Sequence, residues 1–408
     1  MCRFKNMVYT LTNSKLKYAL FILVTLCLTF ASCQEAKKPE LTPWGTVLGG
    51  DTATVSSSLT FSDMVNNGEL IMLTLSGPET YYDYHGRGMG SQYLLCEKFA
   101  ENIGVSLRVE VCKDTAELVS RLKSGDGDLV AFQLPETYRG IVYCGARVDS
   151  AKTQWAVRED SRELADTLNR WFRPELLTEV KREEDFALST RSVVRRVYSP
   201  MLNRSGGIIS HYDVHFRRYA PICRWDWRLL AAQCYQESTF DPQARSWAGA
   251  CGLMQIMPGT ASHLGLPQSQ IFEPEANIAA ACKYIAELRQ RFNDVRNPME
   301  QSLFVLAAYN GGFFHIRDAM ALARKYGRNP YSWGDVREFV LKLSTPAYYS
   351  DAVVKYGYMR GLETVDYVDR IRMRWAQYRG VAGGGISMGG MSIGATPKKA
   401  KRRNRFQI

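Results

Sequence analysis

The sequence predicts an α+β chain of several domains, a small α/β part followed by an almost wholly helical one. Three observations carry that expectation. A chain of 408 residues exceeds what one hydrophobic core ordinarily organises. Between Leu70 and Phe172, period-two and helical patterns alternate, which argues for an α/β layer. From Ile208 to about Arg379 the apolar spacing is helical nearly throughout.

In chain order, Arg3, Lys5, Lys15 and Lys17 precede an uncharged run, Tyr18 to Phe30. Its length fits a signal-peptide core and is short for a bilayer span. Ala31, Ser32 and Cys33 follow. This resembles a bacterial lipoprotein processing site, which implies that residues 1–33 are a signal ending at an acylated Cys33. Ordinary secretion with cleavage nearby is the alternative. Either way the chain leaves the cytoplasm, and no nucleic-acid partner is expected. Gln34 in place of Asp points to the outer membrane, by analogy with enterobacterial sorting. Residues 34–66 are polar, with Pro39, Pro43 and a Ser run at 56–58, and read as a tether.

The net charge of +11 is uneven. Lys398, Lys399, Lys401, Arg402, Arg403 and Arg405 supply six charges within the last eleven residues, leaving +5 (11 − 6) for the rest. Such a tail suits an anionic membrane or an acidic wall polymer. The tail, 380–408, is Gly-rich and aperiodic, so it is expected to be disordered. Ten cysteines are present, but no CxxC or Cys/His spacing suggests a metal, and no cofactor is implied.

Residues 67–175 form the expected α/β domain. Strands are read at "LIMLTL", "VSLRVEV", "DLVAF" and "TQWAVRE". Helices are read at "MGSQYLLCEKFAENIG", "DTAELVSRLKSG" with Asp114 as cap, and "SRELADTLNRWF" with Leu164, Leu168 and Phe172 on one face. The order of "GELIMLTLSGPETYY", "FAENIGV", "LKSGDGDLVA" and "WAVREDSRELADTLNRWF" resembles a periplasmic solute-binding domain of the amino-acid-binding type. Such domains insert a second lobe after the "GDLVA" strand. Here about twenty residues separate Phe132 from Thr153, so one lobe is missing and a spacer or docking role is expected. Residues 176–207 read as a charged linker, and 208–379 as the helical domain.

Within that domain "WDWRLLAAQCYQE" is a helix starting near Asp226, with Leu230, Gln233 and Cys234 on the face of Glu237. Glu237 then lies in the last helical turn beside a buried stripe. Burial and the negative end of the helix dipole both disfavour its ionised form. A carboxyl that stays protonated near neutrality suits general acid catalysis. Asp241, in the turn "FDP", reads as a capping residue. His211, His215, His263 and His315 share no motif and read as structural.

"ESTFDPQARSWAGACGLMQIMPGTA", "AAYNGG" and "ETVDYVDRI" together resemble the lytic transglycosylases of the goose-lysozyme-like superfamily, over roughly 170 residues. "WGDVREFVLKLSTPAYYSDAVVKYGYMRG", with the one-lobe α/β part before it, narrows the resemblance to the membrane-bound lytic transglycosylase F group. The resemblance implies a lysozyme-like fold, peptidoglycan glycan strands as substrate, and catalysis by Glu237. That residue would protonate the oxygen between MurNAc and GlcNAc, and then take a proton from the C6 hydroxyl as it closes on C1. Ser246, Gln255 and Asn310 would hydrogen-bond sugar groups, Tyr309 and Tyr367 would stack or hydrogen-bond near Glu237, and Met254 would line the groove. Glu363 would serve helix packing. A hydrolytic muramidase using the same glutamate, and a wall-binding scaffold without catalysis, stay open as alternatives.

Overall fold

The computed structural model describes residues 60–147 and 153–382, and before them two strands of two residues each. Residues 1–33 with Cys33, and the basic tail, lie outside the described residues. The chain divides into the units Met1–Ser57 and Ser58–Ile408. In the first, Glu40–Leu41 pairs antiparallel with Val47–Leu48.

The α/β part begins with helix α1 (Phe61–Asn67), closed at its N-terminus by a reciprocal capping box between Thr60 and Asp63. It lies inside the stretch read as tether. The strands are β1 (Glu69–Leu75), the hairpin pair β2 (Tyr82–Tyr84) and β3 (Arg87–Met89), then β4 (Ser106–Cys112), β5 (Leu129–Pro135), β6 (Ile141–Arg147) and β7 (Thr153–Arg158). Helices α2 (Ser91–Ile103), α3 (Thr115–Ser124), α4 (Arg162–Trp171) and α5 (Glu175–Ala187) complete it. The main sheet has the order β4-β1-β5-β7-β6, with β1 parallel to β4 and β5 and the last two strands antiparallel.

Alternation along β1 divides the core. Leu70 and Met72 pack with Phe99 of α2, Trp155 and Leu168 on one face, while Leu73 packs with Leu118 and Leu122 of α3 on the other. Helix α5 lies in the segment read as linker. Its charged run "EVKREED" conceals a buried stripe of Leu176, Val180, Glu184 and Ala187 that packs on α2.

The helical part contains α6 (Asp213–Cys223), α7 (Trp227–Ser238), α8 (Pro258–His263), α9 (Pro274–Arg291), α10 (Pro298–Gly311), α11 (Phe313–Lys325), α12 (Trp333–Lys342), α13 (Pro346–Tyr349) and α14 (Gly361–Ala382). The ends follow local chemistry. The Asp226 carboxylate accepts from the Arg228 amide to start α7, and Asn297 with Pro298 starts α10. Gly312, at φ 85°, ends α10. One apolar core joins these helices from Ile209 to Tyr378, around Phe216, Phe292, Phe304, Trp333 and Phe339. Helix α7 lies against α6 and α14, so its last turn is supported from two sides.

A hydrogen bond and a small apolar core help fasten the α/β part to the helical one. The Tyr358 amide donates to Ser76 Oγ at 2.8 Å, and Tyr82, Met89, Ala187 and Tyr358 form a small shared core beside Trp247. Residues Val193–Val194 (β8) pair antiparallel with Arg245–Ser246 (β9), so the connector between the parts is built into the loop that follows Glu237.

Candidate active site

Glu237 occupies the last turn of α7, which Thr239 closes in the left-handed conformation. Its carboxylate accepts a 2.5 Å hydrogen bond from the Tyr367 hydroxyl, on α14. That hydroxyl in turn accepts from Gln233 Nε2 at 3.1 Å, one turn earlier on α7. Burial pushes the Glu237 carboxyl up, and a further push comes from the Glu363 charge. The Tyr367 hydrogen bond and the charges of His85 and Arg195 pull it back, and the balance stands at about 7. Burial and the Glu237 charge hold the Tyr309 and Tyr367 hydroxyls far above the ordinary tyrosine range. Both therefore remain donors. Tyr309 donates to the Met254 carbonyl at 2.7 Å and packs tilted on Tyr284.

The connector secures this end of α7. Arg195 Nη1 donates to the carbonyls of Glu237, at 2.8 Å, and Gln236, at 3.4 Å, satisfying C-terminal acceptors of the helix. The Arg196 amide donates to Asp241 at 2.6 Å, and the Thr239 hydroxyl donates to the Arg196 carbonyl at 2.8 Å. Asp241 also accepts from the Gln243 amide, so it caps its turn and fixes the connector in addition. Neither of the two nearby acids completes a pair with Glu237. Asp241 is engaged in that turn. Glu363 accepts from Tyr84 and from His85, each at 3.1 Å. Burial would raise Glu363, but the hydrogen bond and charge of His85, with Tyr84 and Arg360, outweigh it and hold the carboxyl below its usual range. Glu363 is thus an ionised structural anchor, and Glu237 is the carboxyl poised near neutrality.

Residues 216–332 match the family model described as the transglycosylase SLT domain. Most of the helical region is thus similar to that domain. The chain is 37% identical over 233 residues to a membrane-bound lytic murein transglycosylase F of Desulfosudis oleivorans, covering 53% of this chain and 47% of that protein. To a protein of the same name from Shewanella pealeana it is 26% identical over 407 residues, covering 74% of this chain and 84% of that one. A solved soluble lytic transglycosylase of 70 kDa from Escherichia coli aligns at 27% identity over 42% of this chain and 24% of that one, with a TM-score of 0.29. The chain spans about half the length of the first of these relatives.

The remaining sequence-derived candidates fall in the helical part as follows. Ser246 Oγ accepts from the Ala250 amide at 2.9 Å, closing the "SWAGA" turn. Gln255, at φ 47°, donates through Nε2 to the carbonyls of Gly252 and Ala244 and ties that loop together. Gly252 has φ 78°, and a Cβ there would lie 2.6 Å from Asn277 Nδ2, so the loop requires glycine at this point. Asn310 accepts from Thr364 at 2.7 Å, joining α10 to α14. Met254 is a correction. Only 1% exposed, its side chain belongs to the core and does not line a groove. Its backbone serves the site instead, with the carbonyl accepting from Tyr309 and the amide donating to Asn277.

The sequence reading missed Arg195 and the pair Tyr84–His85. Arg195 stands in a charged stretch with no periodicity, and its partners are more than forty residues away. "YDYHGRG" carries a turn signal in Asp83 and Gly86, but nothing local in it points to Glu363. Among the described residues no helix is long and apolar enough to cross a membrane, and no cluster of three metal-ligating side chains occurs.

Proposed function

We propose that the protein is a lytic transglycosylase of peptidoglycan, breaking the β-1,4 bond between MurNAc and GlcNAc and leaving a 1,6-anhydroMurNAc end. The observation that carries this reading is Glu237, a carboxyl balanced at about 7 with Tyr367 hydrogen-bonded to it and both neighbouring acids engaged elsewhere. Protonated Glu237 gives its proton to the glycosidic oxygen as the C1–O bond breaks. The sugar's N-acetyl group stabilises the cationic C1, as in substrate-assisted glycosidases. Ionised Glu237 then takes the C6 hydroxyl proton while O6 bonds to C1. The Tyr367 donor favours the carboxylate and so supports this second role. Ser246, Gln255, Tyr309 and Asn310 position the glycan.

The chain works in the cell envelope, held by a lipid on Cys33 at the outer membrane after removal of its signal peptide. Its domains are the signal to 33, a tether from 34, the one-lobe α/β domain extended to include α1 and α5, the connector, the catalytic domain from 208 to 379, and the tail. Mass spectrometry of digested sacculi tests the chemistry. Products lighter by one water than muramidase products are expected, and hydrated ends would overturn the reading in favour of hydrolysis. Glu237→Gln should release no products while sacculus binding persists. Continued cleavage would remove Glu237 from its assigned role.

A further inference from the structure

The turn of the β2–β3 hairpin belongs to the α/β part, yet it reaches the helical part. Tyr84 pairs with Arg87, and between them His85 and Gly86 lie at φ 52° and 74°. Positive φ at both central residues defines a type I′ turn, where Asn and Gly are the usual occupants. Asp83 accepts from the Gly86 amide and helps hold the turn. A histidine in the left-handed region is an uncommon choice and one that the turn itself does not require. The hairpin is fixed from outside as well. Arg87 lies 4.5 Å above the Trp247 ring, next to the Ser246 turn, and Tyr82 contacts Tyr358 edge-on at 5.1 Å. His85 is therefore presented to the catalytic domain by a braced support, with its Nε2 3.1 Å from Glu363 and its side chain one-third exposed.

We propose that His85 is a positioning residue for catalysis, contributed by the α/β part, which clamps Glu363 one helical turn before Tyr367, the residue hydrogen-bonded to Glu237. The inference rests on Glu237 being the catalytic acid. Burial pulls the imidazole down, but the Glu363 hydrogen bond and the charges of Glu363, Glu237 and Asp83 outweigh it, leaving it above its ordinary value. The other groups around the pair are Tyr84 and Arg360, and those around Glu237 are Tyr367, Tyr309, Cys234 and Arg195. The His85–Glu363 hydrogen bond engages the carboxylate that would otherwise act unopposed on ionised Glu237. The one-lobe domain thereby acquires a chemical task within the catalytic site.

His85→Asn is the test, because Asn suits the type I′ turn while removing the imidazole. Two readouts apply in the full chain, the pH profile of kcat/KM on isolated glycan strands and the titration of the Glu237 side-chain carboxyl by carbon NMR. Loss of the imidazole should move the basic limb and the carboxyl midpoint upward together, by about half a pH unit or more. In a Glu363→Gln background the same substitution should move them less, because the clamp is already broken. Lower activity with neither midpoint moved would reduce His85 to a hairpin residue and overturn the proposal. The NMR titration is read without turnover, so it decides on His85 even if Glu237→Gln shows the catalytic reading to be mistaken.

Discussion

A carboxyl held near neutrality affects stability as well as chemistry. The folded value of Glu237, about 7, lies above its ordinary 4.5. Between those values the folded chain keeps a proton that the unfolded chain has released. Stability therefore falls as pH rises through this window and levels off above it. Glu237→Gln removes the penalty, so its melting temperature relative to the wild type should be higher at pH 8 than at pH 5. Calorimetry at the two pH values reads this directly, and an equal difference at both would contradict the shift. Tyr367→Phe acts in the opposite sense on chemistry. Without the donor the carboxylate is less favoured, so the basic limb of kcat/KM should move upward. A hydrogen bond to a charged group is worth about 1.5–3 kcal/mol, so kcat should fall roughly ten- to hundredfold if the ionised form is needed in the second step. The glutamate and its helix position were legible in the sequence because helical spacing is local. Met254 was misplaced because its motif position says nothing about which way its side chain points, and the core took it.

The element that holds the site is the turn after α7. Thr239 and Phe240 take φ 52° and 63°, unfavourable for side chains with a Cβ and especially for a β-branched one. They stay there because Arg195, Arg196 and Asp241 fix the turn from the connector. Asp241→Ala leaves the Arg196 and Gln243 amides without their acceptor, and should cost about 1–3 kcal/mol. The expected reading is a melting temperature lower by several degrees, with the Glu237 carboxyl midpoint displaced as the last turn of α7 loosens. Unchanged values in both would show that the connector does not brace the site. Sequence patterns revealed α7 and the α/β strands β1, β4, β5 and β7 because each has a strong period of its own. The connector has none, since its order comes from long-range hydrogen bonds. Helix α5 was obscured by its density of charge, and the hairpin by strands of three residues, too short to display alternation.

At the scale of the whole molecule, the α/β part and the helical part meet at a defined point of the sheet. In open α/β sheets ligands enter the crevice beyond the carboxyl ends of the strands, where the strand order reverses. Here that point lies between β1 and β5, and Ser76 directly follows β1. A segment of the helical part docks there, through the Tyr358 amide on Ser76 Oγ. Gly357, at φ 75°, permits the approach, since a Cβ would stand 2.2 Å from Ser76 Oγ and 2.5 Å from its Cβ. The shared core of Tyr82, Met89, Ala187 and Tyr358 grows around this contact, and the same hairpin carries His85 to Glu363. The α/β part and the helical part should therefore unfold as one cooperative body. Gly357→Val should separate them, because both the φ and the space exclude a branched side chain. Calorimetry is expected to show the single transition dividing in two, and glycan cleavage near neutral pH should drop although Glu237 and Tyr367 are untouched. A single transition at the wild-type temperature would mean that the docking at Ser76 does not couple the two parts. The support of the active site would then have to come through the connector alone.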